Sequence, residues 1–187
     1  MDDDDRKKLT QGLKGADGLI LKEIIREAES FLEAQLKVGL ACDQRAMTFA
    51  GMLAALISIL IGGTASLVAA KVQIWPHILA VLGLGVGVFG AFVFALLAAR
   101  PTKFYYAGNN PRLWIADIEN KRTLDESLAG QAVLYSVGIE GNKRILADNH
   151  KWLGRAQGCA LLGLLAGSLV EVFIVLTLIS SGAISIR

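Results

Sequence analysis

Three stretches of this chain carry almost no charge, and they decide what it can fold into. Residues 46–70 have no charged side chain, 72–99 have none beyond a single His, and 156–186 have only Glu171. A helix of about 20 apolar residues crosses the hydrocarbon core of a bilayer, and each stretch is long enough. The charges collect elsewhere: residues 1–45 hold 18 Asp, Glu, Lys and Arg, and residues 100–155 hold 15. This partition excludes a soluble globular domain, a disulfide-rich secreted fold and a disordered chain. A net charge of +2 gives no case for nucleic acid as a partner. The expected fold is an all-α membrane protein in a lipid bilayer, with transmembrane helices at 46–70, 72–99 and 156–182.

Three spans place the N-terminal segment and the 100–155 segment on one side of the membrane. The turn at Lys71 and an external tail at 183–187 fall on the other. The first side carries 17 Lys and Arg against Lys71 and Arg187 on the second, so the positive-inside bias puts the first side in the cytoplasm. Arg45, Arg100, Lys103, Lys151 and Arg155 then lie at cytoplasmic ends of spans, where long cationic side chains reach headgroups. The acidic start, Asp2–Asp5 before Arg6, does not read as a secretory signal. Cys42 and Cys159 are expected to be inert thiols in a reducing compartment.

The cytoplasmic part reads as two stalk helices. Residues 1–16 are expected to be a disordered acidic and basic tail. From Asp17, a plausible N-cap, the apolar positions Leu21, Ile24, Ile25, Ala28, Phe31, Leu32 and Leu36 follow helical spacing. Stalk one, 17–45, has no Pro before the first span and is predicted to run into it. A second stalk starts at Thr123, where Thr123 and Glu126 form a capping box. Leu124, Leu128, Gln131, Tyr135, Gly138, Asn142, Leu146 and Leu153 then make an approximate heptad seam running towards the third span. The buried amides in it would either fix register or sit on a partly solvated face. The linker from Arg100 to Arg122 opens on Arg100-Pro101, which ends the second span. It contains a turn at 108–111 and a short apolar anchor, Leu113-Trp114-Ile115, expected to dock on a stalk.

Inside the membrane, Gly83 and Gly87 on the second span and Gly163 and Gly167 on the third make flat faces for close helix approach. They fit a tightly associated bundle, within one chain or in a homo-oligomer. Glu171 is the acid to single out, because ionisable groups within spans are costly and face an interior or a partner. Ser58 and the glycine row at Gly85 and Gly87 are its expected neighbours. His77, beside Trp75-Pro76, reads as a local interfacial contact. No nucleotide loop, metal-ligand cluster or catalytic triad is present in the sequence, so neither an enzyme nor a cofactor is expected. Arg112, Lys121, Arg122, Lys143 and Arg144 form a basic set in the cytoplasmic part, balanced in part by Asp117, Glu119 and Glu140. Arg112, Arg122 and Arg144 are the expected anion donors, with Trp114 available to stack a base.

Several short motifs resemble the Pycsar transmembrane effectors. Asp43-Gln44-Arg45-Ala46 is similar to that family's Asp-x-Lys-Ala entry to its first span, with Arg45 where Lys is usual. Ala99-Arg100-Pro101 looks like its span exit, and residues 113–118, ending Asp117-Ile118, like its aromatic segment ending in Asp-Ile. Residues 142–153, with Lys151 and Trp152, resemble its last helix with a Lys-aromatic entry to the membrane. The likeness covers about residues 40–165, and the long apolar C-terminus departs from it. The resemblance implies a bacterial inner-membrane effector of antiphage defence, activated by a cyclic mononucleotide (cCMP or cUMP) that a partner cyclase makes. The other reading open at this stage is a non-gated membrane scaffold or subunit that assembles with a partner through its stalks.

Overall fold

The computed structural model describes residues 3–69 and 77–180. The Lys71 turn, Trp75-Pro76, and the 183–187 tail lie outside the described residues. Five helices follow one another: α1 (Asp3–Leu13), α2 (Gly18–Ala69), α3 (Ile78–Ala98), α4 (Leu113–Glu119) and α5 (Leu124–Ser180). Among the described residues there is no strand. α2, α3 and α5 are each long and apolar enough to cross a membrane, so the chain is a multi-pass, all-α membrane protein. Stalk and span are one continuous helix in both α2 and α5.

The helix starts follow from local chemistry. The Asp17 carboxylate accepts the Leu19 N–H at 2.7 Å, which satisfies one of the free donors at the start of α2. At α5 the Thr123 N–H donates to Glu126 Oε2 at 2.9 Å, and the Glu126 N–H donates to Thr123 Oγ1 at 3.3 Å. That reciprocal pair is the capping box read in the sequence.

One departure is at the start of the chain. Residues 3–13, expected to belong to a disordered tail, form α1. Asp3, Asp4 and Asp5 occupy its first turn, where carboxylates favour the helix dipole. Asp3 and Asp4 also stand four residues before Lys7 and Lys8, the favourable ion-pair spacing. Leu13 and Ala16 then pack against an apolar core, a tertiary contact that a short helix needs.

The chain divides into two compact units: Met1–Ala41 with Pro101–Asp148, and Cys42–Arg100 with Asn149–Arg187. In the first, Leu21, Ile25 and Leu32 of α2 pack on Leu128, Ala132 and Tyr135 of α5, with Trp114 half-buried against them. The linker lies along this pair. The Phe104 ring occupies the space beside Gly39, and the Tyr105 ring covers Gly138 and Gly141. The buried seam of α2 runs through Gln35, whose Nε2 donates to the Ile139 carbonyl at 3.1 Å. Phe31, expected on that seam, is 54% exposed. The apolar anchor is split likewise: Trp114 docks, while Leu113 and Ile115 face outward. At the head of the second seam, Leu124 is also exposed.

In the second unit, Ala50 and Leu53 of α2, Val88, Ala91 and Ala95 of α3, and Ala156 of α5 form the core. These are mostly alanines, which let helices approach where no hydrophobic effect drives them together. α3 and α5 run antiparallel with Gly87 against Gly163. A Cβ on either glycine would collide with the other's backbone, and one on Gly167 would press on Leu84 and the Ala80 carbonyl. Gly83 is roomier, its nearest neighbour being Ala166 Cβ at 3.9 Å. The glycine faces of 87, 163 and 167 are therefore occupied within the chain. On the other side of α3, an apolar groove of about 1,000 Å³ opens between α2 and α3, walled by Ile57, Ile61 and Ala65 and by Val86 and Phe89.

Candidate functional site

The unit with most of the charges holds a cleft of about 280 Å³, close to the lower end of the range for small-molecule sites. Its walls come from three places. α1 supplies Arg6; the linker and α4 supply Asn109, Trp114, Asp117 and Arg122; α5 supplies Ser127 and Gln131.

Local backbone chemistry sets its cationic rim. α4 ends at Glu119, and Lys121 takes a left-handed φ of 53°. The Lys121 N–H then donates to the Ile118 carbonyl and the Arg122 N–H to the Asp117 carbonyl, both at 3.0 Å. This double closure of a helix end folds Arg122 back over its own helix. The Arg122 guanidinium reaches Asp117 Oδ1 at 3.1 Å, with Asp117 three-quarters buried and Arg122 half-exposed. Asp117 thus serves as an internal counter-ion at the cleft.

The floor is tied together through one phenol. Tyr135 Oη donates to Glu29 Oε1 at 2.7 Å and accepts from Gln131 Nε2 at 2.9 Å and from the Gly108 N–H at 3.1 Å. Burial first, and the Glu29 carboxylate second, push its pKa above the ordinary tyrosine value. It is therefore a neutral donor linking α2, α5 and the linker. The capping box lies beside the cleft too. The Thr123 N–H and hydroxyl are the main causes that hold Glu126 below the usual carboxylate range, with Arg122 and Lys14 adding to them.

Of the four residues expected to bind an anion, Trp114 and Arg122 come together here. Arg112 lies just outside, exposed, its N–H held by Asn110 Oδ1 at 3.0 Å. Arg144 is exposed on α5, about 30 Å of helix beyond its start at Leu124, and does not line the cleft. The sequence does not mark Arg6 or Ser127, and it places Gln131 on the helical seam and not in a binding site. For Arg6 the assignment of 1–16 to a disordered tail hid it; Ser127 and Gln131 follow from the capping box, one and two turns further on.

The second notable arrangement lies in the span unit. His77 Nδ1 is 2.8 Å from Glu171 Oε1 and 3.0 Å from Oε2. The expected partners of Glu171 are therefore replaced. Ser58 is exposed and donates to the Ala54 carbonyl of its own helix at 3.0 Å. The Gly87–Gly163 contact lies eight residues, about 12 Å, before Glu171. His77 immediately precedes α3, so Glu171 sits level with the end of that 21-residue helix and not beside its middle. The chain's antiparallel register explains the pairing: aligning Gly87 with Gly163 brings residue 77 within a turn of residue 171.

Of the family-motif residues, Asp117 lines the cleft of the first unit, while Asp43 and Arg45 lie in the span unit. Asn149 Nδ2 donates to Asp43 Oδ1 at 3.4 Å, and burial raises the Asp43 pKa. Arg45 borders a small cavity with Cys42, Ala98, Asn149 and Leu153. Trp152 stacks on Phe94 with centroids 5.8 Å apart, and the Arg155 guanidinium lies 4.6 Å above the Trp152 ring. Arg100, Pro101 and Lys151 are exposed. Among the described residues, no group of three or more His, Cys, Asp or Glu is arranged to hold a metal ion. Compared with family models, with characterised proteins and with solved structures, the chain matches none.

Proposed function

We propose that this chain is a membrane effector of bacterial antiphage defence, of the kind its motifs resemble. In this reading it sits in the inner membrane as a homo-oligomer, N-terminus and linker in the cytoplasm. A cyclic mononucleotide from a partner cyclase, cCMP or cUMP, enters the cleft, and the spans then impair the membrane and kill the infected cell. The observation that supports the reading is the cleft itself, which Trp114, Arg6 and Arg122 line together in the unit that carries most of the charges. Trp114 offers a stacking surface that any base can use. Arg122 and Arg6 offer planar forks suited to phosphate oxygens, and Ser127 and Gln131 offer hydrogen bonds for a base edge or ribose.

A specific observation favours a second reading, the non-gated scaffold. Ile20, Phe31 and Val38 of α2 point outward, at 57%, 54% and 52% exposure, so stalk one has apolar surface left for a protein partner. Expression with and without a cyclase separates the two. The effector reading requires toxicity and membrane depolarisation only when the nucleotide is made, both abolished by Arg122→Gln with membrane insertion intact. Equal toxicity, or none, in both conditions would leave the scaffold.

A further inference from the structure

The cleft has a wall that belongs to a separate, lightly held element. Arg6 lines it from α1, and α1 has no buried residue. Arg6, Leu9 and Leu13 stand at i, i+3 and i+7, one face of the helix. Leu9 and Leu13 are half-buried, and Leu13 packs on the core. α1 is thus seated by its C-terminal end, with Arg6 reaching over the cleft one to two turns earlier. Behind it, residues 14–17 form a turn in which Gly15 takes φ 83° and has open space around it. That conformation suits glycine, and the surroundings leave the joint unobstructed.

The charges give this arrangement a direction. Arg122 is already paired with Asp117 at 3.1 Å, whereas among the described residues no carboxylate forms a salt bridge with the exposed Arg6. A phosphate entering the cleft would compete with Asp117 for Arg122 and would draw Arg6 as a second cationic donor. We infer that α1 is a lid on this cleft, which a small phosphate-bearing ligand closes through Arg6, with Gly15 as its joint. The inference rests on the nucleotide reading of the cleft and adds to it a moving part and a ligand residue.

Limited trypsin digestion of the full chain in detergent tests it, because α1 and its joint carry the cleavable Lys7, Lys8 and Lys14. The probes are cCMP and cUMP, with binding followed in parallel by calorimetry. One nucleotide should bind and slow cleavage at these lysines several-fold. Arg6→Gln, an exposed substitution, should weaken binding roughly tenfold to a hundredfold, the range for one charge-assisted hydrogen bond, and abolish the protection. Arg6→Lys should restore part of both. Nucleotide binding with unchanged cleavage at all three lysines would overturn the lid while the cleft stands. Binding that survives Arg122→Gln undiminished, or no binding to the wild-type chain, would overturn the cleft and the lid together.

Discussion

The side-chain amide of Asn142 pairs with both backbone polar groups of Tyr105, accepting its N–H at 2.8 Å and donating to its carbonyl at 2.9 Å. Asn142 has no exposed surface, so the pair satisfies buried groups that water does not reach. It fixes the linker to α5 at one register, with the Tyr105 ring laid over Gly138 and Gly141. Asn142→Leu should destabilise the protein by about 1–3 kcal/mol for each backbone group left unsatisfied. Asn142→Asp, which keeps the acceptor for the Tyr105 N–H, should cost less. Thermal unfolding in detergent gives the order; equal stability of Asn142→Leu and wild type would remove this role.

The glycine row should prove uneven. Gly87→Ala and Gly163→Ala place a methyl group in the opposing backbone, and overpacking of this kind costs about 1–3 kcal/mol. Gly83→Ala, with its neighbour at 3.9 Å, should be close to neutral. Because the crowded faces meet within one chain, the size of the protein in mild detergent should not change in any of the three. A lower oligomer order in Gly87→Ala would mean that the same face also serves between copies.

His77 and Glu171 should behave as one unit. Partners in direct contact show a coupling of about 0.5–3 kcal/mol in a double-mutant cycle, and Glu171→Ala, His77→Ala and the double variant supply that cycle. If Glu171 acts alone on an ion path, Glu171→Gln will lose depolarisation while His77→Gln keeps it. If the pair only ties the start of α3 to α5, the two variants will depolarise alike.

The capping box predicts a pH dependence with a definite sign. Glu126 titrates below the ordinary carboxylate value of about 4.3 because its ionised form accepts the Thr123 N–H. Its contribution is therefore fully present above that value and is lost as pH falls through the lower, folded-state value. A thermal series from neutral to acid pH should show wild type losing an advantage over Glu126→Gln in that window. Thr123→Ala should cost about 1 kcal/mol at neutral pH, the usual loss for an N-cap.

Legibility in the sequence followed the range of the interaction. Asp17, Thr123 and Glu126 act on backbone groups two or three residues away, so their roles could be read directly. The spans are equally plain, since charge is absent over a whole helix length in two of them and reduced to Glu171 in the third. Phe31 and Gln35 show where periodicity fails. The buried face of α2 passes through Leu32, Gln35 and Gly39, beside which the Phe104 ring lies, and leaves Phe31 outside it, although hydrophobicity alone ranks Phe31 and Gln35 the other way. Asn142 was read as a candidate for fixing the register of two helices; its partner is instead the backbone of a linker residue 37 positions earlier, which no helical pattern encodes. His77 and Glu171, 94 residues apart, were each noticed singly. Pairing them needed the antiparallel register that the opposed glycines establish. Arg6 was hidden by the polarity of its surroundings, which resemble a solvated tail until Leu13 finds the core.

The groove between α2 and α3 has a thermodynamic consequence. Its walls are Ile57, Ile61, Ala65, Val86 and Phe89, and water gains nothing by entering so apolar a space. In a bilayer the available filler is hydrocarbon. An acyl chain seated there binds the folded helices and not the separated ones, so by mass action it stabilises the folded state in proportion to its supply. The melting temperature of this protein is then a joint property of chain and lipid. It should shift with acyl length and unsaturation at constant sequence, as the Tm of a soluble protein shifts with the concentration of its ligand.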